Sequence, residues 1–331
     1  MPRVAEQPSH ENPRVSVDMI TYNHEKFIVQ AIESVLMQET DFPVELIIGE
    51  DCSTDGTRRI VKVYAEKYPN VIRALLPEHN LGMLKNGTEV MRACRGKYVA
   101  YCEGDDYWTD PEKLQRQVDL MEAHPELALC HHTVNYVTWE GGRMKVLKTF
   151  PPESDRVTRQ ASDLIGRNFI QTCSLVVRRA YLPARDAGFQ SLKLGDWPMC
   201  YLAAEHGGIG FLDTVMADYR VHGNNTWYLS KGVGQQFEVA CMALYLASVA
   251  QPGAKPAWQR FGMDLLTSVL AQQPNTLKAI REAASIWQSG CLSLLEVMSL
   301  LAHDLARRPT AEWNRHPRLA AIFKRVLFRH K

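Results

Sequence analysis

The sequence predicts an α/β fold: a mostly parallel, Rossmann-like central sheet flanked by helices, followed by an all-helical C-terminal domain. Three observations carry this. Short apolar strands alternate with amphipathic helices from Val15 to Cys102, and strands joined by helices imply parallel pairing with right-handed crossovers. An acidic block, Glu103-Gly104-Asp105-Asp106, follows the last of these strands. Beyond residue 232 strand patterns stop, and helical patterns punctuated by prolines take over.

Val15 to Ile20 reads as the first strand. Glu25 to Met37 reads as a helix with Phe27, Ile28, Ala31, Ile32, Val35 and Leu36 on one face and Asn23 as its cap. Val44 to Gly49 is a second buried strand, followed by a polar turn, Glu50 to Thr57, and a helix from Arg58 to Lys67. Val71 to Leu76 is a third strand, Met83 to Cys94 a helix and Lys97 to Cys102 a fourth strand. Asp110-Pro111-Glu112 supplies a cap, a first-turn proline and an early acid for the next helix. Leu127 to Tyr136 reads as a half-buried strand in which His131 and His132 point to opposite faces and cannot share an ion. Glu140 to Arg167 reads as a loop, and Pro198 to Glu205 as a helix with Asp196 at its start.

The adjacent carboxylates of Asp105 and Asp106 lie on a loop at a strand's carboxyl end, where open α/β sheets bind ligands. Hard oxygens of this kind suit Mg²⁺ or Mn²⁺, and such ions complete their shells with water and substrate phosphates. An isolated Asp-Asp is more often a solvated turn, so the surrounding pattern decides. The first strand-to-helix turn, Thr21-Tyr22-Asn23-His24, has no glycine, and neither a dinucleotide fingerprint nor a phosphate-cradling glycine loop is present. Phosphate charge is then expected to be met by a metal on the two acids.

In order along the chain, Val15-Ser16-Val17 leading to Thr21-Tyr22-Asn23, the run Glu50 to Thr57, Asn80-Leu81-Gly82, and Glu103 to Trp108 resemble the signature of glycosyltransferase family 2, the inverting nucleotide-sugar transferases of GT-A fold. The resemblance is strong over about 14–125 and looser through Gly195-Asp196-Trp197-Pro198 and Tyr219 to His222. It implies that Thr21, Tyr22 and Asn23 border the donor nucleotide and that Asp51 accepts a hydrogen bond from its base. It also implies that Asp106 ligates the metal, while Asp105 holds the ribose or sugar. His222 is similar to the histidine that closes over metal and diphosphate in many GT-A enzymes, a lone histidine being as often structural. Inverting transfer needs a further carboxylate to take the acceptor proton, and Asp196 is the candidate; its plainer role is a helix cap. Asn224 to Gly232, with Trp227 and Tyr228, has the composition of a lid.

The implied domains are a flexible segment, 1–13, a GT-A transferase domain, 14–232, and a helical domain, 233–331. The implied reaction moves a sugar from a nucleotide diphosphate sugar to a saccharide, lipid-linked or protein-linked acceptor hydroxyl in bacterial surface polysaccharide or glycoconjugate assembly. Two rivals remain: a sugar-1-phosphate nucleotidyltransferase, which would want a glycine- and arginine-rich loop after the first strand, and an inactive carbohydrate-binding scaffold on the same fold.

With 331 residues, 46% of them hydrophobic, a large core is available. Lys plus Arg (38) against Asp plus Glu (37) leaves a formal +1, which points away from nucleic acid. Eight cysteines without a C-x-x-C pair suit small core residues in a reducing compartment. The polar, proline-rich first 14 residues resemble no signal peptide and no apolar run approaches a membrane span, so a cytoplasmic enzyme is expected. Between Arg307 and Lys331 eight basic residues face one acid, around a stripe of Leu319, Ile322, Phe323, Val326 and Leu327. That pattern suits either a peripheral membrane contact through 307–331 or a helix packed into its domain.

Overall fold

Nine strands of a computed structural model form one mixed sheet in the order β3-β2-β1-β4-β8-β6-β9-β5, with β7 paired to β6. The strands are β1 (Val15–Thr21), β2 (Val44–Glu50), β3 (Ile72–Leu75), β4 (Tyr98–Tyr101), β5 (Tyr107–Trp108), β6 (Leu127–Glu140), β7 (Arg143–Phe150), β8 (Val176–Arg178) and β9 (Gly208–Arg220). The helices are α1 (Ile28–Leu36), α2 (Thr57–Lys67), α3 (Met83–Ala93), α4 (Lys113–Ala123), α5 (Ala187–Gln190), α6 (Asp196–Ala204), α7 (Val233–Val249) and α8 (Lys255–Ala271). The structure describes residues 12–155, 157–223, 225 and 232–271. Most of the expected lid, most of the expected N-terminal segment, the helical patterns beyond 271 and the basic segment 307–331 lie outside the described residues.

β1 pairs in parallel with β2 and β4, and β2 with β3, as the alternation predicts. Every residue of β2 is buried, which is what a parallel strand covered on both faces requires. The remainder departs from the expectation. β8 runs antiparallel between β4 and β6, β9 lies parallel to β6, and β5 and β7 pair antiparallel with β9 and β6, so the sheet is mixed. The stretch read as a loop from Glu140 contains β7, and β6 extends four residues past Tyr136. His131 and His132 are both fully buried instead of half-exposed. His131 packs between the rings of Phe169 and Phe211, at 5.7 and 5.0 Å, and burial holds it neutral by pushing its pKa down to about 3.

The described chain divides into two compact units. The first comprises, of the described residues, 12–155, 157–185, 195–223 and 225 and holds the whole sheet; the second comprises 186–194 and 232–271. Within the second unit α7 and α8 pack so closely at Gly262 that a Cβ there would stand 2.9 Å from Leu244. Phe189 meets Tyr245 edge-on, and Lys193 pairs with Glu238 at 2.7 Å. No helix among the described residues is long and apolar enough to cross a membrane.

Candidate active site

The carboxyl ends of β1, β2 and β4 open on one side of the sheet. The chain runs outward from β1 through β2 to β3 and then crosses back to place β4 on the other side of β1, which makes the gap between β1 and β4 a topological switch point. The acidic loop after β4 lies against it. Cys102 and Gly104 donate backbone hydrogen bonds to Asp18 and Ile20 of β1, at 3.1 and 2.9 Å. A Cβ at Gly104 would stand 2.5 Å from the Thr21 hydroxyl and 3.1 Å from His24 Nδ1, so glycine is what lets the acids approach the β1 end.

Asp105 lies on the accessible side of this loop, its side chain 17% exposed. His222 Nε2 is 3.0 Å and His24 Nε2 3.7 Å from the same Oδ2. Burial works against the Asp105 charge; the His222 hydrogen bond and the neighbouring His24 outweigh it and hold its carboxyl below the usual range. His24 is itself kept more neutral, first by burial and against the pull of Asp105. Asp106 is fully buried. Its Oδ1 accepts from the Arg220 backbone N–H at 2.9 Å, and its Oδ2 has no hydrogen-bond partner among the described residues. Burial, then repulsion from Asp105 and Glu103, drives its carboxyl well above the ordinary value. His222, which the resemblance pairs with Asp106 on an ion, thus meets Asp105.

Arg220 ends β9 and fixes both acids. Besides its backbone bond to Asp106, its guanidinium donates to the Asp105 carbonyl at 2.7 Å and to Gln30 of α1, and lies 4.4 Å from the Tyr107 ring centroid. Asn225 staples the same segment by donating to the Arg220 carbonyl and accepting from the His222 N–H.

On the other flank, the loop after β1 is stitched to the loop after β2. Asn23, at φ 56°, donates from its backbone to Ser53 Oγ and accepts from Thr54 N–H, while the His24 N–H donates to Thr57 Oγ1. Asn23 is therefore a loop bridge and not the cap of α1, which starts at Ile28 without a side-chain cap. Tyr22 stays 42% exposed at this rim, and Thr21 is buried. Asp51 is buried, and its two oxygens accept from the backbone N–H groups of Leu81 and Gly82 at 2.7 and 2.9 Å. Gly82 adopts φ 84°, a conformation that favours glycine at the entry to α3.

Asp196 is the first residue of α6, and burial raises its carboxyl despite backbone N–H bonds that oppose the shift. Burial first, then the charges of Asp105, Asp196 and Asp18, push the carboxyl of Glu103 up to about 8. Sequence reasoning passed over Glu103, His24 and Arg220 as site residues. Each lay inside a quoted motif, and only β9 brings Arg220 and His222 against a loop more than a hundred residues earlier in the chain.

An α/β sheet with acids at its switch point and helices on its faces defines a GT-A-type transferase architecture. The model of the family described as Glycosyl transferase family 2 matches residues 16–183, half of the chain, and the protein belongs to that family of transferase enzymes. An uncharacterized protein of Mycobacterium tuberculosis is 41% identical over 214 residues, 65% of this chain and 60% of that one, so the chain spans about three-fifths of this relative's length. A Bacillus subtilis protein named for teichuronic acid biosynthesis is 38% identical over 109 residues, 33% of this chain and 42% of that one. Among solved structures, a mannosyltransferase from Pyrobaculum calidifontis in complex with GDP-Man and Mn²⁺ superposes with a TM-score of 0.55 at 17% identity, covering 98% of this chain and 88% of that one, and shares the fold.

Proposed function

We propose that the protein is a divalent-metal-dependent, inverting glycosyltransferase that moves a sugar from a nucleotide diphosphate sugar to an acceptor hydroxyl in surface polysaccharide or glycoconjugate assembly. The observation that carries the proposal is the gathering of His222 and His24 on Asp105 at the switch point, with the buried, half-partnered Asp106 next to it in the chain. The donor set fits a hard cation. Carboxylate oxygens suit Mg²⁺ or Mn²⁺, the imidazole being the softer donor beside them, and an orphaned buried Asp106 oxygen is the kind of group a cation satisfies. Among the described residues no three such side chains already form a closed ion cage. Mg²⁺ in nucleotide sites commonly takes one or two carboxylates and draws the rest of its shell from water and phosphate.

Asp105, Asp106 and His222 would hold the ion, which when bound supplies positive charge to the departing diphosphate. Thr21, Tyr22 and Asn23 border the nucleotide. Asp51 holds the loop at Leu81 and Gly82 and keeps further lone pairs with which to accept from a base ring N–H. Asp196 takes the proton of the attacking hydroxyl, and its raised carboxyl suits a general base better than an ordinary aspartate would. Support for the donor class comes from the GDP-Man and Mn²⁺ of the mannosyltransferase, and for the pathway class from the teichuronic acid relative.

The test is thermal unfolding of the full chain with a panel of UDP, dTDP and GDP sugars, with and without Mn²⁺. A cognate donor at a hundredfold excess over its Kd adds about 2.7 kcal/mol of stability. That gain should depend on Mn²⁺ and vanish in Asp106→Ala, while His222→Ala should weaken it. Silence across the whole panel would overturn the proposal.

A further inference from the structure

His24, Phe27 and Gln30 recur at a spacing of three, the first two on the turn that leads into α1 and the third in its first helical turn, so they line up along one side. The turn is closed by the Phe27 and Ile28 N–H groups, which donate to the His24 carbonyl at 2.8 and 2.9 Å. All three side chains meet the segment that ends β9. The Phe27 ring lies 4.7 Å from the His222 ring, centroid to centroid, at a tilt of 31°. His24 meets the same imidazole edge-on at 6.4 Å. The Arg220 guanidinium stands 5.1 Å from the Phe27 centroid and donates to Gln30 Oε1 at 2.5 Å. Phe27 is thus the apolar surface against which both ends of Arg220-Val221-His222 rest.

We propose that Phe27 is a positioning residue for the metal site, its ring seating the His222 imidazole so that Nε2 is held 3.0 Å from Asp105 Oδ2. β9 ends at Arg220, so the sheet ladder does not set the His222 ring. Asn225 accepts from the His222 N–H and fixes the backbone there, but a backbone bond leaves the side-chain torsions to other contacts. A phenyl ring packed against the imidazole restricts those torsions. The electron-rich face of the same phenyl favours the Arg220 cation, which in turn holds the Asp105 carbonyl and the Asp106 carboxylate. An aliphatic side chain of similar size would fill the space and supply neither effect. A group that orients a ligating histidine governs metal affinity without touching the ion. The assignment rests on the metal-ligand role proposed above for His222.

The experiment titrates Mn²⁺ into the full chain in the presence of UDP, dTDP or GDP and reads free Mn²⁺ by electron paramagnetic resonance, so that no transfer activity is needed. We expect Phe27→Leu to raise the Mn²⁺ Kd on the order of tenfold, with a metal-free melting temperature close to that of the wild type. Phe27→Met, a second ringless side chain of similar reach, should do the same, and Phe27→Tyr, which keeps the ring, should bind as the wild type does. Because Phe27 acts through His222, its loss should add nothing where the imidazole is already gone: Phe27→Leu/His222→Ala should match His222→Ala alone. Wild-type affinity in Phe27→Leu and Phe27→Met would overturn the inference and leave the metal role of His222 standing. So would losses that add in full in the double variant, which would make Phe27 a support of the fold at large. Failure of the wild type to bind Mn²⁺ with any of the three nucleotides, or full binding by His222→Ala, would overturn the metal role itself and the inference with it.

Discussion

Asp196 shows how a plain helix-terminal acid becomes a candidate base. At the first turn of α6 the backbone N–H groups and the helix dipole stabilise its anion, yet burial prevails and its carboxyl is raised. Asp196→Asn keeps the shape and the ability to accept at the helix start, and removes the basicity. Donor-induced thermal stabilisation should persist while transfer falls by roughly 10² or more. The pH profile carries the same sign. The competent form is the ionised one, so kcat/KM should fall as pH drops through the raised pKa, at a higher pH than an ordinary aspartate would give. Transfer by the Asn variant within a few fold of wild type would put the base elsewhere.

At the scale of elements, the half of the fold that was legible is the half whose strands are buried on both faces. β1, β2 and β4 declare themselves as short runs rich in apolar residues, and α1 and α3 by one-sided faces. β7 did not, because Arg143 to Lys148 mix three cations with Met144, Val146 and Leu147, all six are exposed, and no buried face exists to read. β9 carries glycines, an internal Asp213 and irregular pairing with β6, and those break the period. The site divides in the same way. Asp105 and Asp106 were visible as types, whereas the contact of His222 with Asp105 depends on the invisible β9. The legible motif also predicts its own weak point. Gly104→Ala would place a methyl within 2.7 Å of Thr21 Cβ and force the acidic loop off β1. Overpacking of this kind costs about 1–3 kcal/mol. We expect a lowered melting temperature and a larger loss of Mn²⁺-dependent donor stabilisation than in Gly253→Ala, where the added methyl meets open space and φ is not in the left-handed region. Equal donor response in the two variants would show that the loop tolerates the shift.

For the molecule as a whole, acids gathered under and around the switch point tie stability to pH in the direction opposite to the usual carboxylate. Asp18 is the clearest case, since it sits in central β1, buried, with an oxygen lacking a hydrogen-bond partner among the described residues. Burial pushes its carboxyl up to about 7, and the opposing charge of Arg185 recovers only part of the loss. In the unfolded chain the same group releases its proton near 3.8. Between those two values the folded chain holds a proton that the unfolded chain has lost, so stability declines as pH rises across the window and the full penalty is present above it. A shift of this size corresponds to about 4 kcal/mol at most, at 1.36 kcal/mol per unit, before relaxation of the surroundings reduces it. Asp18→Asn retains the shape and cannot titrate. Urea unfolding of the metal-free protein at about pH 5 and about pH 8 should therefore show a drop for the wild type that exceeds the drop for Asp18→Asn by roughly 2–3 kcal/mol. Asp196 contributes in the same direction to both proteins, whereas Glu103, raised to about 8 in part by the Asp18 charge, is relieved in Asp18→Asn and adds to the difference. Equal drops in the two proteins would mean that Asp18 is ionised in the folded state and that Arg185 satisfies it fully.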